Sequence, residues 1–512
     1  MSSAETTGRK TEIFLESYPP PSRRAPFVLA AYPNTYRVGM SNLGLHFLFR
    51  ELSRPGIFRV ERHFTDSKPP AHKPQIVFAT ISYEEDLINL VKMLRDLGIE
   101  PSREDRGGDP LVIAGGAAVS ANPLPVSPIA DAVALGEGES ALREIIEALS
   151  GVSHPAGALP LIDRTEQVFV PALGGRSSAS GRSAPEDFQR SVILTPDTVF
   201  ADTLLVEISR GCPGRCSFCL ATAVYDPFRP VPAERIEEII ESAAGRARKV
   251  GLVSTAAAAH PDFERIMEYL SSRSIAAGIS SLRAADLDGA SIRLIAGSGV
   301  RSVALAPESG SERVRRLAGK GVGDDVFVRT VSMLAEAGVA RISLYLIAGL
   351  PGGGDGEIGE TEAFMAAMKK AAGRTRLAAH LNALVPKAGT PLQYHPLPPL
   401  KELEETMRGI ESACRGSGVP CETKSLRSSM RQAVLSLGGE ETGRALLRLA
   451  AGRVSWKKAL RGEGADPALP FRERGMPEPL PWDRFYSDEA RAGLARRYMS
   501  LRAGDHESGP EK

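Results

Sequence analysis

Residues 212–219 read Cys212-Pro213-Gly214-Arg215-Cys216-Ser217-Phe218-Cys219, a C-x3-C-x2-C run that holds three of the chain's five cysteines. Thiolates this close together on a Gly/Pro-bearing loop can converge on one metal centre, and Gly214 is expected to supply backbone freedom there. Iron–sulfur clusters usually take four cysteines, so three would leave one iron without a protein ligand. A vacant coordination position is where metal sites do chemistry. The bland alternatives are a zinc site completed by a distant histidine, or three buried thiols without metal. A zinc knuckle normally supplies its ligands in two pairs, and no second pair with that spacing exists. Cys414 and Cys421 fall outside the run, in a stretch with weak signals, and read as ordinary free thiols.

Working outward, the cysteine run begins just past the strand-like stretch Thr203–Ile208. Five further strand patterns follow at Lys249–Ser254, Ala276–Ser281, Arg301–Ala306, Arg341–Ile347 and Leu377–Leu384. Helical patterns separate or follow them, at Pro232–Arg246, Asp262–Ser271, Leu287–Ala296, Ser311–Leu317, Asp325–Ala337 and Glu357–Ala371. Strand–helix repeats with short connections predict a partial parallel (β/α)6 barrel over residues 201–395, with chemistry at the carboxyl ends of its strands.

Upstream, residues 26–160 alternate strand and helix patterns, which predicts a doubly wound α/β unit around a parallel sheet. The first 25 residues form a separate segment, and 161–200, with its glycine- and serine-rich stretch, reads as a linker needing no fold of its own. Residues 396–512 read as a mostly helical extension with a proline- and glycine-rich interruption from Gly462 to Trp482 and a polar tail, Asp505–Lys512, expected to be disordered.

The cysteine loop, with Phe218 before its third cysteine, and the six-unit partial barrel together resemble radical SAM (S-adenosylmethionine) enzymes. The resemblance covers roughly residues 26–450 and is closest to a cobalamin-associated branch of that family, including the barrel-exit segment Val385-Pro386-Lys387-Ala388-Gly389-Thr390-Pro391. It implies a [4Fe–4S] cluster on Cys212, Cys216 and Cys219, with SAM on the open iron, and admits cobalamin as a third cofactor. The implied activity is reductive cleavage of SAM to a 5′-deoxyadenosyl radical, with methyl transfer to a substrate where cobalamin is bound. A low-potential donor such as flavodoxin or ferredoxin is the implied partner.

By the same resemblance, the SAM contacts are Ser254, Thr255, Ser280 and Glu308, although the family's Gly-Gly-Glu after the second strand is absent. The competing reading of Glu308 is an acid before a helix amino terminus, favoured by the macrodipole. Arg283 reads as a surface or salt-bridge arginine. In the first unit, Ser82, Gly115, Gly116 and Gly136 resemble the residues of a cobalamin-binding domain. The Asp-x-His-x-x-Gly run that ligates cobalt is missing, and His46 reads as an ordinary helix residue.

Composition narrows the alternatives. The 63 basic and 62 acidic residues leave a net charge of +1, so no overall field favours a nucleic acid or an anionic membrane. A methylthiotransferase-like modification of RNA ranks second, because no basic carboxyl-terminal domain is evident. An iron–sulfur electron carrier or binding protein is the rival from another class. The polar start Met1–Lys10 and five sparse cysteines fit a reducing cytoplasm.

Overall fold

The computed structural model describes residues 12–503, except 108, 176, 180, 281, 355, 453 and 476–478. Ser281 and the polar tail Asp505–Lys512 therefore lie outside the described residues.

The first unit has six strands: β1 (Phe27–Tyr32), β2 (Arg59–Phe64), β3 (Ile76–Thr80), β4 (Leu111–Gly115), β5 (Ala132–Ala134) and β6 (Val168–Phe169), of which β1, β3 and β4 are apolar runs of five or six residues, almost wholly buried. They form one sheet in the order β2-β1-β3-β4-β5-β6, parallel except for β6. Helices α1 (Leu43–Ser53), α2 (Asp86–Asp96) and α3 (Gly138–Ser150) cover it, α1 and α3 on one face and α2 on the other. Strand order reverses at β1, and the crevice at the carboxyl ends beside such a switch is where doubly wound sheets bind ligands.

The second unit is a run of seven parallel strands. β7 (Thr203–Glu207), β8 (Lys249–Val253) and β9 (Ala276–Ile279) pair in one ladder. β10 (Ser302–Glu308), β11 (Arg341–Ala348), β12 (Arg376–Ala383) and β13 (Cys421–Thr423) pair in another. A parallel bridge between Leu282 and Leu305 joins the two halves. The outer helices α4 (Ala233–Ser242), α5 (Phe263–Ser272), α6 (Gly289–Gly297), α7 (Glu312–Leu317), α8 (Asp324–Glu336) and α9 (Glu357–Ala372) lie within two residues of the expected ends, apart from α4, which stops four residues early at Ser242. Alternate residues such as Val206, Leu252, Leu305, Leu344 and Leu381 face these helices in one apolar cluster. The other phase of each strand faces the barrel interior.

Three expectations change. β13 adds a seventh strand, too short to read from three residues. It places Cys421 against Cys414 on α10 (Leu400–Gly416), so this region is ordered and the two buried thiols hydrogen-bond each other. That bond, with burial, pushes the Cys414 thiol up. Residues 161–200 are also more than a spacer: they contain β6, and Ile193–Leu194 pairs with Ile13–Phe14. Finally, the extension packs α11 (Leu426–Leu437), α12 (Glu440–Ala450), α13 (Trp456–Gly462) and α14 (Asp488–Ala503) across both units. Trp482, 1% exposed, donates its indole N–H to Gln393 Oε1 at 2.9 Å inside an apolar cluster shared by the first sheet and the barrel exit. Among the described residues, no helix is long and apolar enough to cross a membrane.

Candidate functional site

The chain leaves β7 and makes a two-residue antiparallel ladder, Ser209–Arg210 against Arg229–Pro230, which closes the loop carrying the cysteines. Gly211, not Gly214, is the glycine this loop requires. Its φ is +82°, and a Cβ there would lie 2.4 Å from the Tyr225 carbonyl oxygen. Gly214 lies outside the left-handed region, and a Cβ on it would meet Cys212 Sγ at an ordinary 3.4 Å.

Cys212, Cys216 and Cys219 are free thiols at the carboxyl end of the barrel. Burial pushes the Cys216 thiol up to about 12, with Lys320 opposing and the other two cysteines adding to the rise. Burial likewise raises Cys219, against the backbone N–H groups of Ala221 and Thr222 that donate to its sulfur. Among the described residues, no three His, Cys, Asp or Glu side chains are arranged to hold a single metal ion.

The expected SAM contacts gather beside the cysteines. Ser254 Oγ lies 2.6 Å from Ser209 Oγ, and its backbone N–H donates to Ser280 Oγ at 3.0 Å. Ser280 Oγ donates in turn to the Ser254 carbonyl at 2.8 Å, and Thr255 Oγ1 donates to the Gly211 carbonyl. Glu308 ends β10 at a bulge, with φ +69°. A bulge re-aims the side chain that follows it, and here the carboxylate accepts from Lys320 Nζ at 3.0 Å. Burial raises the Glu308 carboxyl, and Lys320 partly offsets the rise. Ser311, not Glu308, caps α7, its Oγ accepting from the Val314 N–H at 3.2 Å. Arg283 pairs with Asp286 at 3.6 Å. Phe218 packs against the apolar cluster shared with the first sheet.

Residues 206–365 match the family model described as the radical SAM superfamily, and residues 59–171 match that of the amino-terminal region of radical SAM proteins. The chain belongs to the radical SAM superfamily. It is 25% identical over 424 residues to the uncharacterised protein MJ0966 of Methanocaldococcus jannaschii, covering 82% of this chain and 90% of that one. Its fold is similar to the radical SAM methyltransferase TsrM from Kitasatospora setae, solved with cobalamin and a [4Fe–4S] cluster (TM-score 0.53, 12% identity, 86% of this chain and 99% of that one). It is also similar to the cobalamin-dependent radical enzyme OxsB (TM-score 0.50, 15% identity, 67% and 52%).

Membership of this superfamily implies a [4Fe–4S] cluster and SAM, and the donor set fits them. The three thiols are free and partly buried, and backbone N–H groups donate to two of them, Cys219 and Cys212, the latter from Gly214 N–H at 3.4 Å. The largely buried Glu308 carboxylate and Lys320 ammonium lie near these thiols.

A cavity of about 510 Å³ runs from this site to the first sheet. Its polar end is walled by Ser254, Ser280, Glu207, Arg210 and Glu139, and its apolar end by Phe47, Phe78, Ile113, Leu142 and Ile145. Gly115, Gly116 and Gly136 line it. Gly116 and Gly136 also accommodate the chain itself: a Cβ would lie 2.5 Å from the Ile81 carbonyl oxygen or 2.8 Å from that of Ala179. Ser82 stands behind the wall, accepting from Asn42 Nδ2 at 3.0 Å. His46 sits on α1 with both ring nitrogens engaged, by the Met40 carbonyl and the Val192 N–H, and burial lowers it to about 4. Among the described residues, no histidine lines this cavity.

Two groups escaped the sequence reading. Lys320 is twelve residues past Glu308, and only the fold of α7 and its following turn brings them together. Arg210 bonds Glu137, Glu139 and Glu207, each at 2.8 Å, and so ties the cluster loop to the first sheet. The turn carrying Lys320 also supports the loop, because Ser217 N–H donates to the Ala318 carbonyl at 2.9 Å. Gly319, at φ +77°, has room for no Cβ, which would fall 2.6 Å from the Arg215 carbonyl oxygen. Gly319→Ala is therefore expected to displace the cysteine loop and to cost about 1–2 kcal/mol in backbone strain. Iron retained per chain after anaerobic reconstitution and gel filtration should drop, and an unchanged ratio would refute that support.

Proposed function

We propose that this protein holds a [4Fe–4S] cluster on Cys212, Cys216 and Cys219 and binds SAM beside it, for a radical reaction on a substrate held in the barrel. When bound, the cluster supplies the electron that splits the sulfonium of SAM into methionine and a 5′-deoxyadenosyl radical. The observation that carries this reading is the gathering of three free thiols, Glu308–Lys320 and the Ser254–Ser280 pair at one end of the barrel.

The chain's own part is binding and exclusion. The Glu308 carboxylate would accept from a ribose hydroxyl of SAM or offset the sulfonium charge. Lys320 Nζ is placed to meet the SAM carboxylate. The Ser254–Thr255 turn, braced by Ser280 and Gly211, presents backbone groups at the second strand end. The first sheet and the carboxyl-terminal helices close over this end and keep water away from reactive species.

The cavity reaching into the first sheet is our proposed seat for cobalamin, with its apolar end between α1 and α3 taking an apolar portion. With no histidine among the described lining residues, none of them would supply an imidazole ligand to cobalt. Bound corrinoid would make methyl transfer the outcome, and we propose a cytoplasmic setting with a flavodoxin- or ferredoxin-like donor. The test is anaerobic incubation of reconstituted protein with SAM and dithionite. Formation of 5′-deoxyadenosine or S-adenosylhomocysteine is expected, and intact SAM with a reduced cluster contradicts the proposal.

A further inference from the structure

The interior phase of the barrel carries different groups in its two halves. On β7 to β9 it carries Leu205, Glu207, Gly251, Val253 and Gly278, with Ser280 just beyond, and of these Leu205, Glu207, Val253 and Ser280 line the cavity. On β11 to β13 it carries Tyr345, His380, Asn382 and Glu422, none of which has a part in holding the cluster or SAM.

These residues make a built surface. Tyr345 and His380 are direct register partners on β11 and β12, and their rings stack with centroids 4.9 Å apart at 21°. Glu422, the partner of His380 on β13, is exposed, and its carboxylate lies 3.4 Å from His380 Nδ1. Tyr345 is 39% exposed although it lies mid-strand between Leu344 and Leu346, both buried against the outer helices. Its exposed surface therefore opens to the interior side. On the β10 side the residues at its level are the small Ala306 and Pro307, within the bulge that re-aims Glu308.

Position relates this surface to the reaction. Leu346, the next residue along β11, is the register partner of Glu308. Asn382, on the interior face of β12, sits one pleat, about 7 Å, closer to the carboxyl end than His380.

We propose that Tyr345, backed by His380, is the platform on which a flat aromatic or heteroaromatic ring of the substrate stacks, with Asn382 as its hydrogen-bonding neighbour. This rests on the radical SAM reading above and assigns the substrate class for the same barrel. An exposed π face prefers offset contact with another ring, and the imidazole behind it holds the phenol in place.

The test is saturation-transfer difference NMR on the full reconstituted chain, with quinoline as the probe and cyclohexanol as a non-planar control. Quinoline should receive saturation and cyclohexanol should not. Tyr345→Ala should weaken quinoline binding about ten-fold and His380→Ala about two- to ten-fold, the range expected from ring-stacking increments. Tyr345→Phe, which keeps the ring, should bind as the parent does. Tyr83→Ala, removing a different exposed tyrosine, should change nothing. Quinoline binding that survives both Tyr345→Ala and His380→Ala overturns the platform, as does absence of binding to the parent. Should Tyr345→Ala fail to fold, the His380→Ala and Tyr345→Phe pair decides. The parent's 5′-deoxyadenosine assay is read in parallel. Nucleoside product without quinoline binding sinks the platform alone, whereas quinoline binding without nucleoside sinks the radical chemistry and leaves a ring-binding site.

Discussion

Replacing any one of Cys212, Cys216 or Cys219 by alanine should abolish both bound iron and nucleoside product, while Cys414→Ala leaves both in place. A four-iron cluster normally takes four cysteine ligands, and this loop supplies three. Losing another leaves two thiolates for four irons, too few to fix the cluster or to direct a vacant iron toward Glu308 and Lys320. Cys414 is more deeply buried than the loop cysteines but lies on an outer helix, hydrogen-bonded to Cys421. Its loss should cost packing only. The measurement is iron and sulfide per chain, read with 5′-deoxyadenosine by mass spectrometry. Iron retained in all three loop variants would place the metal elsewhere.

The second large effect concerns Arg210, two residues before the first cysteine. Its guanidinium, 9% exposed, meets Glu137 and Glu139 from the first sheet and Glu207 from the barrel, and lies 4.2 Å from the Phe188 ring centroid. Arg229 shares Glu137. Burial alone would raise Glu139, yet the Arg210 guanidinium holds it below the usual carboxylate range. Arg210→Leu leaves three buried carboxylates facing one remaining arginine. Breaking such a pair from one side costs about 3–5 kcal/mol, because the stranded charge stays desolvated. The denaturation midpoint should fall accordingly, and reconstituted iron with it, since the strut runs straight into Gly211 and Cys212. Arg210→Lys keeps the charge but not the planar fork, so it should recover part of the loss. A variant within about 0.5 kcal/mol of the parent would show the network to be dispensable.

Much of the fold was legible because its signals are local. Buried parallel strands read as unbroken apolar runs, and Phe27–Tyr32 appears in the structure with the bounds its sequence suggests. The barrel helices carry amphipathic spacing and end close to where that spacing stops. β13 was not legible, because three residues carry no periodicity, and its pairing depends on α10 returning the chain to β12. The stretch 161–200 hid its strands for the same reason: two residues each, fixed by long-range partners.

The site divides likewise. The cysteines announce themselves by spacing. Lys320, Arg210 and Tyr345 are ordinary residue types at ordinary intervals, and only three-dimensional proximity gives them roles. The role of glycine in the loop was misplaced by three residues, because conformational demand at Gly211 comes from Tyr225 and Pro227, distant in sequence. Gly116 and Gly136 were read for a ligand alone, yet each also makes way for the chain's own backbone.

The most direct measurement is low-temperature electron paramagnetic resonance of the reduced, reconstituted protein with and without SAM. Three sulfurs around four irons predict a cubane signal whose g values move when SAM coordinates the remaining iron. A spectrum indifferent to saturating SAM, or purified protein carrying zinc on these cysteines, contradicts the account.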